Sequence, residues 1–179
     1  VAGTGTIALT HSGTISGTYG LTLGGSQGGT VSSIIGTSTG TLTKADAGTW
    51  TLNGINTFTG AITISAGNLT IGGSGSLNSG SYAGNISIAS TSSGKFQYAS
   101  STSQTLSGVV SGAGAVTISG TGALTLTGNN TYTGTTTVNL GSTLNLTPAS
   151  AFTETLSGDF VNNGTINFDG SNGYGAGGT

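Results

Sequence analysis

The chain writes one phrase twice. Residues 54–60 read G-I-N-T-F-T-G and residues 128–134 read G-N-N-T-Y-T-G, so Tyr132 stands where Phe58 stood, 74 residues on. The match extends both ways: G-T-W-T-L-N-G (48–54) faces G-A-L-T-L-T-G (122–128), and A-I-T-I-S-A-G (61–67) faces T-T-T-V-N-L-G (135–141). After Gly67 and Gly141 the register slips by one, and L-T-I (69–71) answers L-N-L (144–146). Upstream, Gly40 and Leu42-Thr43 face Gly114 and Val116-Thr117, and a shorter copy, L-T-L-G-G, occurs at 21–25. The repeat units run from about 40–72 and 114–147. Self-similarity of this kind belongs to units that cannot bury their apolar side alone and must stack on one another.

Inside each copy, apolar residues alternate with Thr, Ser or Asn: Trp50/Leu52, Ile62/Ile64, Leu69/Ile71, and again Leu124/Leu126. Period two predicts short strands with one buried and one wet face. Between them lie Gly54, Asn56 and Gly60, matched by Gly128, Asn130 and Gly134, which is turn chemistry. No segment has a capped 3.6-residue period, so almost no helix is expected. The prediction is an all-β parallel β-helix, a β-solenoid of about seven coils, in which three coils of roughly 25 residues account for the offset of 74. Phe58 and Tyr132 are then one slot, three coils apart. The solenoid is a single unit over residues 1–179, with a Gly-rich tail or linker at 169–179.

Composition agrees. Only 33% of residues are apolar, thin for a compact core of this length. Charged residues are 3%, namely Lys44, Lys95, Asp46, Glu154, Asp159 and Asp169, against roughly 25% in an average domain. With 36 Gly, such a chain would read as low complexity, but a net charge of −2 and abundant Thr, Ile and Val favour strands over disorder. A single proline, Pro148, fits. The absence of cysteine excludes disulfides and thiolate metal sites. No apolar run approaches the roughly 18 residues of a membrane-crossing helix. Val1 in place of an initiator Met, without a leader pattern, fits a processed product or an excised segment.

Residues 41–69 and 122–144 resemble the passenger-associated strand repeat of bacterial autotransporter proteins, and S-S-T-S-Q-T-L-S-G-V-V-S-G-A-G (100–114) and N-N-G-T-I-N-F (162–168) are similar to the segments around it. The repeat phrases cover about a third of the chain. The resemblance implies a right-handed parallel β-helix in a Gram-negative cell-surface or secreted protein, serving as a stalk. No run of alternating strands with aromatic girdles, the mark of a translocator barrel, accompanies it.

Catalysis needs a poised acid, base, nucleophile or metal, and none assembles here. His11, in L-T-H-S-G, reads as an exposed strand end. Asp159 and Asp169 are ten residues apart, which places them on different faces rather than as a carboxylate pair. F-D-G-S-N-G-Y-G-A-G-G (168–178) has the look of a Gly-rich Ca²⁺ repeat but offers one Asp. G-S-G (73–75) opens no helix and is no nucleotide loop. Two lysines cannot make a nucleic-acid surface. The N-x-[ST] triplets at Asn68, Asn85, Asn129, Asn145 and Asn163 are what this composition produces by chance. Trp50, Phe58, Tyr98 and Tyr132 would serve as a sugar-stacking strip if exposed, but their pattern positions favour packing.

No enzyme activity and no cofactor is therefore expected. The leading expectation is a rigid extracellular segment, with adhesion through its hydroxyl-rich faces; a surface or glycan ligand is left unspecified. Two alternatives stand beside it. One is a filament subunit stacking head to tail through uncapped strand edges. The other is an ice-binding face built on T-W-T (49–51), T-L-T (125–127) and T-T-T (135–137).

Overall fold

Alternation dictates the strands. Their burial repeats as buried, wet, buried in Leu42–Lys44, Ile62–Ile64, Ile86–Ile88 and Leu124–Leu126, because each side chain points to the opposite face from its neighbour. The structure, a computed structural model, describes residues 5–89, 94–147 and 158–168.

All described pairings between strands are parallel, and the chain winds as a β-solenoid. The first face is an eight-stranded sheet: Ile7–Leu9, Gly28–Val31, Thr49–Leu52, Asn68–Ile71, Lys95–Tyr98, Ala115–Ile118, Thr136–Val138 and Phe160–Asn162. Eight strands bound seven coils. The second face starts with Thr14–Ser16 on Ile34–Gly36, passes through an isolated bridge between Ile55 and Ser76, and continues as Ser81–Tyr82, Gln104–Leu106, Leu124–Leu126, Thr143–Leu146 and Thr165–Phe168. The third face stacks Leu21–Leu23, Leu42–Lys44, Ile62–Ile64, Ile86–Ile88 and Val110–Gly112. The one helical element among the described residues is a 3₁₀ turn, Asn78–Gly80.

The core is a set of inward columns. Trp50, Leu69, Phe96 and Val116 form one on the first face, and Val31, Leu52, Ile71, Tyr98 and Ile118 another, all buried. Each buried aliphatic or aromatic side chain contributes about 1.5–3 kcal/mol, so the stack carries the fold without a globular interior. Thr30, Thr51, Thr70, Gln97, Thr117 and Thr137 form the outward column of the same face.

The spacing of the coils corrects the expected count. Trp50 pairs with Leu69, Leu69 with Phe96 and Phe96 with Val116, three coils that take 66 residues rather than 74. The remaining eight residues carry the chain from Val116 on the first face to Leu124 on the second. The written repeat is therefore three coils plus one face. Trp50 and Leu124, aligned in sequence, lie on different sheets.

Coil length varies from 19 residues between Thr49 and Asn68 to 27 between Asn68 and Lys95. The longest coil contains the 3₁₀ turn, and Gln104 of the next coil clamps it. Gln104 is buried, its Oε1 accepting from the Leu77 N–H at 2.8 Å while its Nε2 donates to the carbonyls of Leu77 and Thr105. One amide replaces the ladder bonds that the extra residues displace.

Candidate functional site

The repeated phrase builds the same corner twice, once on each of two faces. In the first copy Thr57 N–H bonds to the Ile35 carbonyl at 2.9 Å, so residues 56–59 lie over the second-face strand Ile34–Gly36. In the second, Thr131 N–H bonds to the Val110 carbonyl at 2.9 Å, so residues 130–133 lie over the third-face strand Val110–Gly112. Phe58 and Tyr132 are thus equivalent in their local setting and not in their place around the axis.

The asparagines explain why. Asn56 is fully buried, its Oδ1 accepting the Ile35 N–H at 3.0 Å and its Nδ2 donating to the carbonyls of Gly54 and Ser76. Asn130 repeats the arrangement, with Oδ1 on the Val110 N–H at 2.8 Å and Nδ2 on the Gly128 carbonyl at 2.9 Å. A side-chain amide carries the same donor and acceptor as a peptide, so it satisfies the coil beneath while the backbone turns. Gly60 and Gly134 close the phrase. A Cβ on either would stand 2.2 Å from the carbonyl oxygen of the glycine one coil earlier, Gly40 or Gly114. Only hydrogen fits there.

The remaining motif residues are core. Leu52, Phe58, Leu124, Leu126 and Tyr132 are buried. Trp50, also buried, donates its Nε1–H to the Gly24 carbonyl at 2.8 Å. Tyr98 is buried as well, so the four aromatics form no exposed sugar-stacking strip. Phe58 meets Tyr82 edge to face at 5.8 Å, and Tyr132 pairs its hydroxyl with Thr136 Oγ1 at 2.8 Å. Burial pushes the Tyr82 phenol upward, and that of Tyr98 too, where a hydrogen bond with Ser100 partly opposes it.

Apart from Lys44 beside Asp46, the acids and the histidine among the described residues stay separate. His11 is exposed, and its Nδ1 accepts the Gly13 N–H at 2.9 Å. Asp159 is exposed beside the first-face strand Phe160–Asn162; Asp169, Glu154, Pro148 and the Gly-rich segment 169–179 lie outside the described residues. Among the described residues no group of three His, Cys, Asp or Glu could hold a metal. The T-x-T runs divide between faces: 49–51 and 135–137 on the first, 125–127 on the second.

Three polar features escaped the sequence reading. Outward amides make short ladders, Asn68 Nδ2 to Gln97 Oε1 at 3.1 Å and Gln97 Nε2 to Ser119 Oγ at 2.8 Å on the first face, and Thr125, Asn145 and Asn167 on the second. Gln104 clamps the long coil. Lys44, in an inward position, is fully buried, which lowers its pKa against the opposing pull of Asp46. Only the L-T-K alternation at 42–44 could have announced it.

Two segments, residues 42–71 and 116–146, match the family model of the passenger-associated-transport-repeat. Each match spans one phrase and the strands on both sides of it, from the third face round to the first in one copy and from the first round to the second in the other. This is the repeat of autotransporter passengers that the residues resemble. No curated protein and no solved structure gives a significant match.

Proposed function

We propose, from a chain that carries two passenger-associated-transport-repeats, that it is a non-catalytic structural segment of a bacterial surface or secreted passenger. It holds whatever lies at one end at a fixed distance from the other. The observation that supports this reading is the eight-strand first-face ladder, with buried columns beneath it and rows of hydroxyls outside. Those rows, such as Thr22, Thr43, Thr63, Ser87 and Ser111 on the third face, are the surface an adhesive role would use. The test is reach. In a displayed passenger, replacing residues 5–168 by a Gly/Ser linker of equal length should leave an end-placed epitope at a broad range of distances from the cell, where the native segment gives one narrow value. Equal distributions would remove the stalk reading.

A second reading is favoured by the terminal coils. Ile7 and Leu9 at one end, and Phe160 and Phe168 at the other, occupy inward positions yet are 39–55% exposed. A further coil laid on either end, from the same polypeptide or from a second copy, would cover them. Filaments of the purified chain in electron micrographs would support self-assembly; discrete rods of roughly 34 Å, seven inter-strand spacings, would leave the stalk alone.

A further inference from the structure

Lys44 ends the third-face strand Leu42–Lys44, paired with Leu23 on one side and Ile64 on the other. That is an apolar position, and the side chain has no exposed surface. Its ammonium nevertheless has a partner for each of its three donors: the carbonyls of Ala45, of Asp46 at 2.7 Å and of Ala66 at 3.0 Å. Ala45 and Asp46 belong to the corner that follows the strand, and Ala66 to the same corner one coil later. All three acceptors are backbone. The Asp46 carboxylate reaches the other way, taking the Gly25 N–H at 2.8 Å one coil earlier, and its charge offsets part of the burial that disfavours the ammonium.

We propose that this corner is a binding site for one monovalent cation of the primary ammonium class, occupied in cis by Lys44. Three neutral carbonyls and a single nearby carboxylate balance one positive charge, whereas a divalent calcium ion takes about six to eight oxygens, several of them anionic. An ammonium with three donors matches three carbonyls; a guanidinium, flat and five-donor, would not. The site joins three successive coils, through Gly25, Asp46 with Lys44, and Ala66. The second copy of the repeat has Ile118 and Gly120 at the aligned positions and no such site.

The test is chemical rescue. Lys44→Ala removes three carbons and the ammonium, which is what n-propylammonium supplies. Thermal unfolding of the variant should shift upward and saturate with n-propylammonium chloride, and should not with tetramethylammonium chloride, which has the charge but no N–H donor. Equal responses to the two salts, or equal responses of variant and unsubstituted chain, would overturn the proposal. If the variant does not fold, the unsubstituted chain decides by nuclear magnetic resonance of its lysine ammonium groups. Lys44 protons should exchange at least about tenfold more slowly than those of exposed Lys95. Exchange as fast as that of Lys95 would overturn it equally.

Discussion

Asn56 and Asn130 do with a side chain what a strand does with its backbone, and that makes them hard to replace. Asn56→Ala strands the Ile35 N–H inside the coil stack, at about 1–3 kcal/mol, while the Gly54 carbonyl keeps the Ser76 N–H. Asn56→Asp should cost more, since a carboxylate offers no donor to Gly54 or Ser76 and sits buried beside their carbonyls. Denaturant unfolding of both variants checks the order, and an Asp variant as stable as the Ala variant would contradict it. The pH profile follows from burial too. Tyr82 and Tyr98 have raised folded pKa values, so the stability tied to their protonated phenols is complete below the unfolded value of 10.0 and lost as pH climbs past it. Lys44 has a lowered folded pKa, so below 10.5 the unfolded chain binds more protons and stability rises with pH on the approach to that value. Melting curves across the alkaline range should rise, then fall; Tyr82→Phe should weaken the fall. The inward Asn residues were legible as turn chemistry, because Gly-x-Asn-Thr has a local meaning. The cage around Lys44 was not, since its carbonyls come from two coils and backbone oxygen leaves no mark in a sequence.

At the scale of the element, strands and buried columns follow directly from the period of two, while the sheet to which a strand belongs does not. The phrase G-x-N-T-aromatic-T-G responds to the coils it stacks against and not to the face it stands on, so it works on the second face in one copy and the third in the other. Its two versions differ in a way that can be measured. The Tyr132 hydroxyl rests on Thr136, and the aligned pair is Phe58 and Ile62. Phe58→Tyr should therefore bury a hydroxyl without a partner and destabilise by about 1–3 kcal/mol, and adding Ile62→Thr should recover part of that loss. A double-mutant cycle with no coupling would show that the two corners are not alike. Gly134→Ala should be among the most damaging small substitutions, because the obstacle at 2.2 Å is a carbonyl of the neighbouring coil and not a flexible side chain. Refolding yield and circular dichroism measure that effect; a variant that melts like the parent would place the glycine's role elsewhere.

Across the whole molecule, the ladder and its seven coils were readable in outline, and the count of residues per turn was the part that misled. Coils of 19 to 27 residues share one core because length is absorbed at corners, as the 3₁₀ turn and Gln104 show. Deleting residues 54–127 splices Asn53 to Gly128 and replaces one phrase by its twin. The chain should still fold, as a rod shorter by about 16 Å, three and a third strand spacings, in small-angle scattering. A deletion three residues shorter, 54–124, breaks the alternation and should unfold the coils after it. The written unit also has an angular consequence. Because it ends one face beyond a whole number of coils, gaining or losing a unit by recombination between the copies changes more than reach. It turns everything distal by a third of a revolution, so that a stalk lengthened in this way presents its far end to a different compass bearing at each step.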